Sequence, residues 1–547
     1  MTYKCLISLI LLGVFFGLDA QMTPEEAISS MKHGINLGNV LEAPYEGDWE
    51  QHAREAYFDM YVEAGFDLIR IPVRWDKHTG NTSPYRINET WMQRVEEVVG
   101  WGLERDLFVV LNSHHDNWIK EGYDNPVMRA RFDSIWSQIS IRFKDKPDKL
   151  IFEILNEPKG LSEAQNNEMH ERVLGIIRRT NPTRNVIVQG NEWGGANELV
   201  AMEIPDDPYI IGSFHSYDPW PFGLEGSGSF GSSYDLQKLE EKFVMVRQWS
   251  DTSKIPVFLG EFACHTKADY NSRMNHYRAY VDFTQKYGFT PVTWDCGSGF
   301  QAMDRRALKW LPVKEVLMHS GPFAPRFTDL EIVQDTLISL HWRNGEMEAD
   351  SFWLQRKSGN GDFQTLAVLG KATYNYTDSS ARQNEDHYYR IIAAYPGDSI
   401  GHAHPQHIHL PAYVPLVRAY YLGYPHPVPG IIEAEDFDLG GEGLSYHELD
   451  TRNIAGAYRP DEAVDIYAVG QTAYHLGNML PGEWAEYSIE VAEDGDYHLG
   501  VYCAAFSSGG RFSIQLGEQI LEIDSVVGSG SLTGTLEQEL FCSLKAG

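Results

Sequence analysis

The chain has 547 residues, a formal net charge of −32 and a hydrophobic content of 43%. Single cores seldom grow beyond about 250–300 residues, so this length predicts two to four domains. The strong negative charge makes nucleic acid and anionic membrane surfaces unsuitable partners, whereas neutral substrates and cations remain possible. Aromatic residues make up 12% of the chain, which suits the stacking of neutral sugars as well as packed cores.

The first twenty residues have the pattern of a secretory signal. A lysine at position 4 precedes an apolar run over residues 6–16, and small residues lie just before Gln21. Cleavage is expected after Ala20, and the run is too short to span a membrane. No later stretch approaches about 18 uninterrupted apolar residues. We therefore expect the mature protein to be secreted or periplasmic, with no membrane partner, and to be a monomer.

Short apolar runs alternate with amphipathic segments through the next part of the chain. Eight runs have the length of buried strands: 34–39, 66–73, 108–115, 150–158, 185–190, 210–217, 256–262 and 290–295. Apolar residues at three- and four-residue spacing predict helices between them, for example at 91–103, 127–143, 166–179 and 272–287. Strands alternating with helices imply parallel pairing, and eight such units predict a (β/α)₈ TIM barrel over residues 21–325.

Helical periodicity disappears after the predicted barrel. Residues 326–411 contain about seven short alternating segments, which predict a β-sandwich. The segments "LISLHW" and "HYYRIIA" resemble a fibronectin type III domain, with Tyr389 in the place of its corner tyrosine. Another small sandwich remains the alternative.

A Pro- and Tyr-rich stretch at 412–430 is predicted to be a linker, followed by a second all-β domain at 431–547. "IIEAEDFD", "GAYRPDEAVDIYAVG" and "GEWAEYSIEVAEDGDYHLGVYC" resemble a family 6 carbohydrate-binding module, a jelly-roll fold. That family normally continues beyond the point where "CSLKAG" ends this chain, so we expect a truncated module. Tyr458 matches one of its two sugar-stacking rings, but "VVGSGSLTGTLEQELF" lacks the usual Trp. The resemblance therefore implies weak binding of sugars.

The cysteines leave the redox state open. Cys5 lies in the signal, and Cys264, Cys296, Cys503 and Cys542 form an even set that permits disulfides in an exported chain. Cys264 and Cys296 follow neighbouring predicted strands, so a disulfide and two free thiols are both possible. The spacing of the four does not resemble a zinc site.

The segment "IFEILNEPKG" carries a carboxylate at the end of a predicted buried strand. Buried strands reject carboxylates unless the charge is compensated, so Glu157 is either an ordinary loop acid or a functional group. Pro158 should end the strand and hold Glu157 in extended geometry. The carboxyl ends of all eight predicted strands are polar, and active sites of TIM barrels lie at that face. This convergence favours the functional interpretation.

A second acid, Glu261, ends predicted strand seven, which faces strand four across a barrel mouth. Two opposed carboxylates are what glycosidic bond cleavage needs, and a separation of about 5–5.5 Å is expected for retention of configuration. Arg70 could keep Glu261 ionised, and Tyr217 could donate a hydrogen bond to it. Asn156 could bind a sugar 2-hydroxyl. Flat faces for sugar rings are offered by Trp49, Trp118, Trp193, Trp220 and Trp294.

The motifs "GINLGNVLEAPYEGDW", "IRIPVRW", "FEILNEP", "NEWGG", "LGEF" and "CGSGF" resemble glycoside hydrolase family 5 over about residues 25–320. The resemblance implies that Glu157 is the general acid/base and Glu261 the nucleophile. It implies a substrate-binding shell of Arg70, His114, His115, Asn156, His215, Tyr217, Trp294, Asn39, Glu42 and Trp193. His114 and His115 are adjacent and should point to opposite sides of a strand, so we expect His114 to face the barrel axis.

These features predict an endo-acting, retaining β-1,4-glucanase that acts on plant cell-wall β-glucan, with glucomannan as a further candidate substrate. The two-carboxylate chemistry requires neither a metal ion nor an organic cofactor. A β-mannanase and a mixed-linkage or xyloglucan-active glucanase are alternatives, because the loop "WPFGLEGSGSFGSSYDL" is shorter than in relatives that accept both polymers. A barrel that only binds polysaccharide is the alternative from another class, and it is disfavoured because both acids are present.

Overall fold

The computed structural model describes residues 21–397, 399–531 and 533–547, so the predicted signal and Cys5 lie outside the described residues. The chain divides into two compact units, one extending to Ala412 and the other comprising Tyr413–Gly547. Among the described residues, no helix is both long and apolar enough to cross a membrane.

The first unit contains a closed barrel of eight parallel strands in chain order, which confirms the predicted fold class. The strands are β1 (Gly34–Asn36), β2 (Leu68–Ile71), β3 (Phe108–Asn112), β4 (Leu150–Glu153), β5 (Val186–Gln189), β6 (Ile210–His215), β7 (Val257–Phe262) and β8 (Thr290–Thr293). Each lies within one of the eight predicted runs. The longest predicted run, 150–158, is a strand only up to Glu153, because the last residues of the run leave the sheet to form the barrel mouth.

Helices separate the strands and cover the barrel. They are α1 (Pro24–Ser30), α2 (Glu55–Ala64), α3 (Glu89–Glu104), α4 (Asn117–Glu121), α5 (Pro126–Arg142), α6 (Glu163–Ile177), α7 (Ala196–Ala201), α8 (Trp220–Glu225), α9 (Ser233–Ser253), α10 (Tyr270–Tyr287) and α11 (Val313–His319). Capping boxes at Ser162 and Ser232 satisfy the first backbone N–H groups of α6 and α9, which fixes where these helices begin.

The barrel interior is apolar at its amino end. Side chains from the strands, including Leu68, Val110, Ile151 and Ile211, form one buried cluster with Ala27 and Met31, which flank or belong to α1. Successive side chains of a strand alternate between its two faces, so the residues two positions further along the same strands also point inwards. Those positions are polar, and they form the floor of the barrel mouth.

A small hairpin, β9 (Met303–Asp304) and β10 (Lys309–Trp310), precedes α11. The rest of the first unit consists of β11 (Arg326–Val333), β12 (Leu337–Arg343), β13 (Ser351–Ser358), β14 (Gln364–Gly370), β15 (Asn375–Asp378), β16 (Glu385–Ala394) and β17 (Ile400–Leu410). These strands form a three-stranded sheet, β11-β12-β15, and a four-stranded sheet, β14-β13-β16-β17, around one buried core. Tyr389 donates a hydrogen bond to Asp378 (2.7 Å) inside this sandwich.

The second unit is also built from strands. They are β18 (His426–Val428), β19 (Tyr446–His447), β20 (Ile466–Val469), β21 (Ala473–Leu476), β22 (Trp484–Ala485), β23 (Ile489–Val491), β24 (Gly495–Cys503), β25 (Phe512–Leu516), β26 (Gln519–Ile523) and β27 (Leu536–Leu544). Of residues 412–430, which were expected to be a linker, those from Tyr413 onwards belong to this unit, and β18 among them pairs in parallel with β23. Pro425 and Pro429, which suggested a linker, flank this short strand, and Pro427 lies within it.

All four described cysteines are free thiols. Cys503 pairs with Leu536 and Cys542 with Tyr497 on the β24–β27 ladder, so the two thiols lie far apart along the strands. Burial raises the pKa of Cys264 to about 12, which keeps this thiol protonated.

Candidate active site

A layer of polar side chains lines the inside of the barrel directly above its apolar interior. On β2, Arg70 follows Leu68 on the same face, and on β4, Glu153 follows Ile151. Asn36 and Asn112 occupy the equivalent places on β1 and β3, and all four polar residues are fully or almost fully buried. Because buried polar groups are costly unless they are paired, this layer must be internally bonded.

Arg70 is the centre of that layer, with its side chain 0% exposed. Its guanidinium donates to both oxygens of Glu153 (2.6 and 2.8 Å), and also to Glu261 (2.8 Å). Further N–H groups donate to Asn36 (2.9 Å) and Asn156 (2.7 Å). Burial acts to lower the pKa of Arg70, but Glu153 and Glu261 raise it above its ordinary value. The guanidinium is therefore permanently charged, and it fixes four side chains of the mouth.

Glu157 leaves the end of β4 in a left-handed backbone conformation, with φ of +44°. The expectation that Pro158 would hold it in extended geometry is therefore wrong. The Glu157 N–H donates to the side chain of the buried Gln189 (2.7 Å), which stabilises this uncommon conformation from the end of β5. Such conformations cost of order 1–3 kcal/mol and persist where the surroundings determine them, often at functional sites.

The carboxylates of Glu157 and Glu261 face each other across the mouth and meet at His215. His215 Nδ1 lies 2.9 Å from Glu157 Oε1 and 3.7 Å from Glu261 Oε2. One oxygen of each carboxylate and a ring nitrogen of His215 all lie within 4.8 Å of one another. Tyr217 donates a hydrogen bond to Glu261 Oε2 (2.9 Å). A Cβ atom on Gly260 would lie 2.8 Å from His215 Nε2, so a glycine is needed beside this ring.

The surroundings of the two carboxylates shift their pKa values in opposite directions. Burial raises the pKa of Glu261, although His215, Arg70 and Tyr217 oppose this shift. Burial also acts to raise the pKa of Glu157, but the hydrogen bond and charge of His215 lower it overall. The side chain of Glu157 is 25% exposed, compared with 6% for Glu261. A group bound over the pair would therefore take much more water away from Glu157 than from Glu261, and would raise the Glu157 pKa in particular.

His114 and His115 both follow β3, which ends at Asn112. The expectation that they point to opposite sides of a strand is wrong, since His115 has φ of +53° and the two rings lie 4.4 Å apart. His114 is buried beside Asn112 (3.2 Å), and its ring lies parallel to that of Trp294 with centroids 5.8 Å apart. Burial lowers the pKa of His114 well below its usual value and that of His115 to about 4, so both rings are neutral at neutral pH.

The loop after β1 forms one edge of the mouth. Asn39 is half-buried and has φ of +64°. Glu42, expected to line the cleft, is instead fully buried, and its carboxylate accepts the backbone N–H groups of Asn39 and Val40 (2.9 Å for the latter). Glu42 thus shapes the loop that presents Asn39. Burial raises the pKa of Glu42 to about 7.

The predicted tryptophan surfaces fall into two groups. Trp49, Trp193 and Trp220 are about half exposed, and Trp193 is covered on one side by the Lys159 ammonium (4.0 Å from the ring centroid). Trp118 instead packs in the protein, where its Nε1–H donates to Asp116 (2.9 Å). The first group could stack on a ligand, whereas Trp118 supports the loop after β3.

The sequence analysis did not identify the asparagines of the polar layer, Asn36 and Asn112, or three further residues of this site. Glu153 neutralises Arg70, Gln189 holds the backbone of Glu157, and Lys120 is buried with its charge attracted to Glu157. Burial lowers the pKa of Lys120. Glu153 could have been found, because it is the acid that lies inside the apolar run "IFEIL". Lys120 lies on the short helix α4, and the sequence gives no sign that this helix turns inwards.

Comparison with known proteins supports a single family. Residues 32–299 match the family model described as cellulase (glycosyl hydrolase family 5). Endoglucanase H of Acetivibrio thermocellus is 48% identical over 50% of this chain and 30% of its own length. Endoglucanase 1 of Ruminococcus albus is 31% identical over 52% of this chain and 78% of its own length. The chain spans less than half of the length of some of these relatives, including endoglucanase H.

Solved structures give the same result for the barrel. The endoglucanase Cel5A from Thermotoga maritima is 35% identical and superimposes with a TM-score of 0.52, covering 54% of this chain and 99% of its own. The matched part includes the barrel and both opposed carboxylates, and the predicted family resemblance is confirmed. This chain belongs to glycoside hydrolase family 5.

Proposed function

We propose that the chain is an endo-acting β-1,4-glucanase that hydrolyses its substrate with retention of configuration. The observation that carries this proposal is the approach of Glu157 and Glu261, whose facing oxygens lie within 4.8 Å. Retaining glycosidases hold their carboxyl groups about 5–5.5 Å apart, whereas inverting enzymes leave about 6.5–9.5 Å for a water molecule. The names of the relatives, which are endoglucanases, support β-1,4-glucan as the substrate.

Glu261 is the proposed nucleophile. Arg70 and Tyr217 each donate a hydrogen bond to its carboxylate, and such donors stabilise the anion that attacks the anomeric carbon. Attack forms a glycosyl–Glu261 ester while the glycosidic C–O bond breaks. Tyr217 remains protonated, because burial and the neighbouring Glu261 raise its pKa well above the usual value.

Glu157 is the proposed acid and base. In the protein alone His215 lowers its pKa, but a sugar bound over the pair removes water from Glu157 and raises that pKa, so that it can carry the proton. It donates this proton to the leaving oxygen in the first step and takes one from water in the second. Asn156, whose amide oxygen is held by Arg70, is left to donate its N–H₂ group to a sugar hydroxyl.

Proton NMR of the first product tests the mechanism, since retention requires the β-anomer to appear before mutarotation. An α-anomer as the first product contradicts it. Initial rates on carboxymethylcellulose, glucomannan and barley β-glucan test the substrate, with the highest rate expected on a β-1,4-glucan. A loss of viscosity that precedes the release of reducing ends would support the endo mode.

A second activity on mannan has support from one relative. Thermotoga maritima Cel5A has been solved with mannotriose as well as with cellobiose. We infer that glucomannan is an additional substrate, for which the half-exposed Trp193 and Trp220 offer stacking surfaces. Failure to hydrolyse pure β-1,4-mannan, under conditions in which glucan is hydrolysed, would contradict an activity on mannan.

We further propose that the chain is exported and acts as a monomer on plant cell-wall polysaccharide. Residues 326–411 then form a fibronectin III-like spacer and the following unit a carbohydrate-binding module, as the sequence resemblances imply. Amino-terminal sequencing of the exported protein should begin at Gln21. Light scattering of that product should give the mass of one chain.

A further inference from the structure

The last barrel helix and the last strand of the sandwich bring three side chains together, far along the chain from the catalytic motifs. Glu315 and His319 lie on α11, and His402 lies on β17. His319 Nε2 and His402 Nδ1 are each 3.7 Å from Glu315 Oε2, and the three atoms all lie within 4.8 Å of one another. We refer to these residues as the junction cluster.

The local structure explains why the three side chains converge. Residues four positions apart on a helix share one face, so Glu315 and His319 lie one above the other on α11. Arg278 on α10 ties the barrel to the sandwich, since it donates to the carbonyl oxygens of Pro325 (2.7 Å), just before β11, and of His402 (3.3 Å) on β17. The junction is therefore a packed interface with a defined geometry.

His402 is a buried polar group whose ring has no hydrogen-bond partner. The residue is 4% exposed, and neither Nδ1 nor Nε2 has a partner among the described residues. An unpaired buried polar group costs about 1–3 kcal/mol, so such a group calls for an explanation. Its Nδ1 points to the two other members of the cluster, at distances that are too long for hydrogen bonds. A ligand between the three side chains would satisfy this nitrogen.

We propose that the junction cluster binds one Zn²⁺ ion. Imidazole nitrogen and carboxylate oxygen are both ligands of zinc, and two His with one Glu is a known three-residue donor set. Zinc–ligand bonds of about 2.0–2.1 Å correspond to separations of about 3.3 Å between ligands in a tetrahedron. The separations of 3.7 Å are close to this value. The rings of His319 and His402 have centroids 4.2 Å apart and planes inclined by 31°, so the side chains must rotate to turn both nitrogens towards one ion.

Access and charge decide how tightly the ion is held. The side chains of Glu315 and His319 are 24% and 32% exposed, so an ion can enter from solvent. Lys314 Nζ already contacts Glu315 Oε1 (2.6 Å), and Arg390 lies 3.7 Å from Oε2. These two positive charges oppose a cation, although they would favour an anion or a polarised water molecule in the fourth position. We therefore expect micromolar affinity rather than the tighter binding of Cys-rich sites.

The test uses the full chain after removal of metal with EDTA. Isothermal titration with Zn²⁺ should give a saturable site with one ion per chain, and Co²⁺ should show the visible bands of a four-coordinate ion. Glu315→Gln, His319→Ala and His402→Ala should each weaken this site by at least about 100-fold. Saturating Zn²⁺ should also raise the thermal unfolding midpoint of the unsubstituted chain but not of these variants.

His404→Ala is the matched control, because His404 is buried on the same face of β17 but bonds to Asn275 (2.9 Å) instead. It should bind Zn²⁺ like the unsubstituted chain. If His402→Ala does not fold, the proposal is tested with His319→Ala, whose substituted side chain is partly exposed. Thermal unfolding of this variant in EDTA shows whether it is still folded. The proposal is overturned if the unsubstituted chain binds no stoichiometric Zn²⁺, or if His319→Ala retains the site. It is equally overturned if His404→Ala loses the site as completely as His402→Ala.

Discussion

The barrel buries and pairs its charged side chains, whereas the second unit leaves large aromatic side chains exposed to solvent. At the barrel mouth, Arg70 is completely buried, and its N–H groups all point to acceptors on β1, on β7, and on or just after β4. In the second unit the strands pair two by two, and large apolar side chains such as Phe506 (74% exposed) and Phe541 (71%) face solvent.

The difference follows from closure of the sheet. A closed barrel forces the carboxyl ends of eight strands to one place, so side chains that are distant in sequence become neighbours with little freedom. Open pairs of strands impose no such convergence, and a site there must be assembled from loops. Substitutions in the barrel mouth should therefore have large effects, whereas those in the second unit should have small ones.

The largest effect is expected for Glu261→Ala. This change removes the proposed nucleophile, so the first step should slow by roughly 10⁴-fold or more on every substrate. Steady-state rates on a soluble glucan and on an activated aryl glycoside measure it. An activity that falls by less than tenfold on both substrates would show that Glu261 is not the nucleophile.

Glu157→Ala is the matched comparison across the same mouth. Its defect should be least with dinitrophenyl glycosides, because that leaving group needs no proton. Azide should restore its turnover and yield a β-glycosyl azide by attack on the glycosyl–Glu261 ester. Azide attacking in Glu261→Ala should give the α-azide instead. An α-azide from Glu157→Ala would mean that the two roles are reversed.

Glu153→Gln should produce the next largest effect, this time on stability. The change leaves the buried Arg70 without its bidentate partner, and breaking a buried ion pair in this way costs about 3–5 kcal/mol. Urea unfolding measures the loss, and activity should fall because Arg70 also positions Glu261. The control is Glu96→Gln, which breaks an ion pair with Arg142 that is about 30% exposed and should cost about 1 kcal/mol or less. Equal losses in the two variants would contradict the distinction between the buried layer and the surface.

The barrel could be predicted from sequence because two simple patterns coincide in it. Apolar runs of strand length, separated by amphipathic segments, located all eight strands, and the acids at the ends of two of them located the mouth. The same patterns led to wrong predictions of the local backbone conformation. Both His115 and Glu157 adopt positive φ, which depends on partners such as Gln189 that lie on other strands.

Other features depend on contacts that one strand or loop cannot reveal. Glu42 was expected to line the cleft, yet its carboxylate turns back to bind the N–H groups of its own loop. The three residues of the junction cluster carry no motif, because His402 is 83 residues after His319 and meets it only through packing of the sandwich on α11. The sequence alone could therefore predict the catalytic pair but not this cluster.

His170→Phe tests how a buried, unpaired histidine of the first unit affects stability as the pH changes. His170 is buried in α6, and neither ring nitrogen has a hydrogen-bond partner within the described part of the chain. Burial lowers its pKa to about 3, below the ordinary 6.5. The unfolded chain binds this proton more readily, so stability is lost as pH falls from about 6.5 towards 3, by about 1.4 kcal/mol per pH unit. In the variant, the free energy of unfolding should no longer show this part of its dependence on pH. Urea unfolding at several pH values measures it. Val173→Ala in the same helix changes packing only, and should leave the slope unaltered.

The smallest effect is expected from the second unit. Tyr458, its predicted sugar-stacking residue, donates its hydroxyl to Asp436 (2.7 Å), and its ring packs against those of Tyr474 (4.7 Å) and Tyr421 (5.7 Å). These contacts leave Tyr458 38% exposed. One stacked aromatic contact contributes only about 0.5–1.5 kcal/mol, a few-fold to tenfold in affinity.

Calorimetry on residues 413–547 should accordingly detect no micromolar binding of cello-oligosaccharides. A chain ending at Ala412 should hydrolyse soluble glucan at the rate of the full chain, because its proposed catalytic residues all precede that point. Tyr458→Ala in the full chain serves as the control for deletion artefacts and should also leave this rate unchanged. Micromolar binding that Tyr458→Ala abolishes would show that this ring is available to sugars, and that open strand pairs can build a site as effective as a closed barrel.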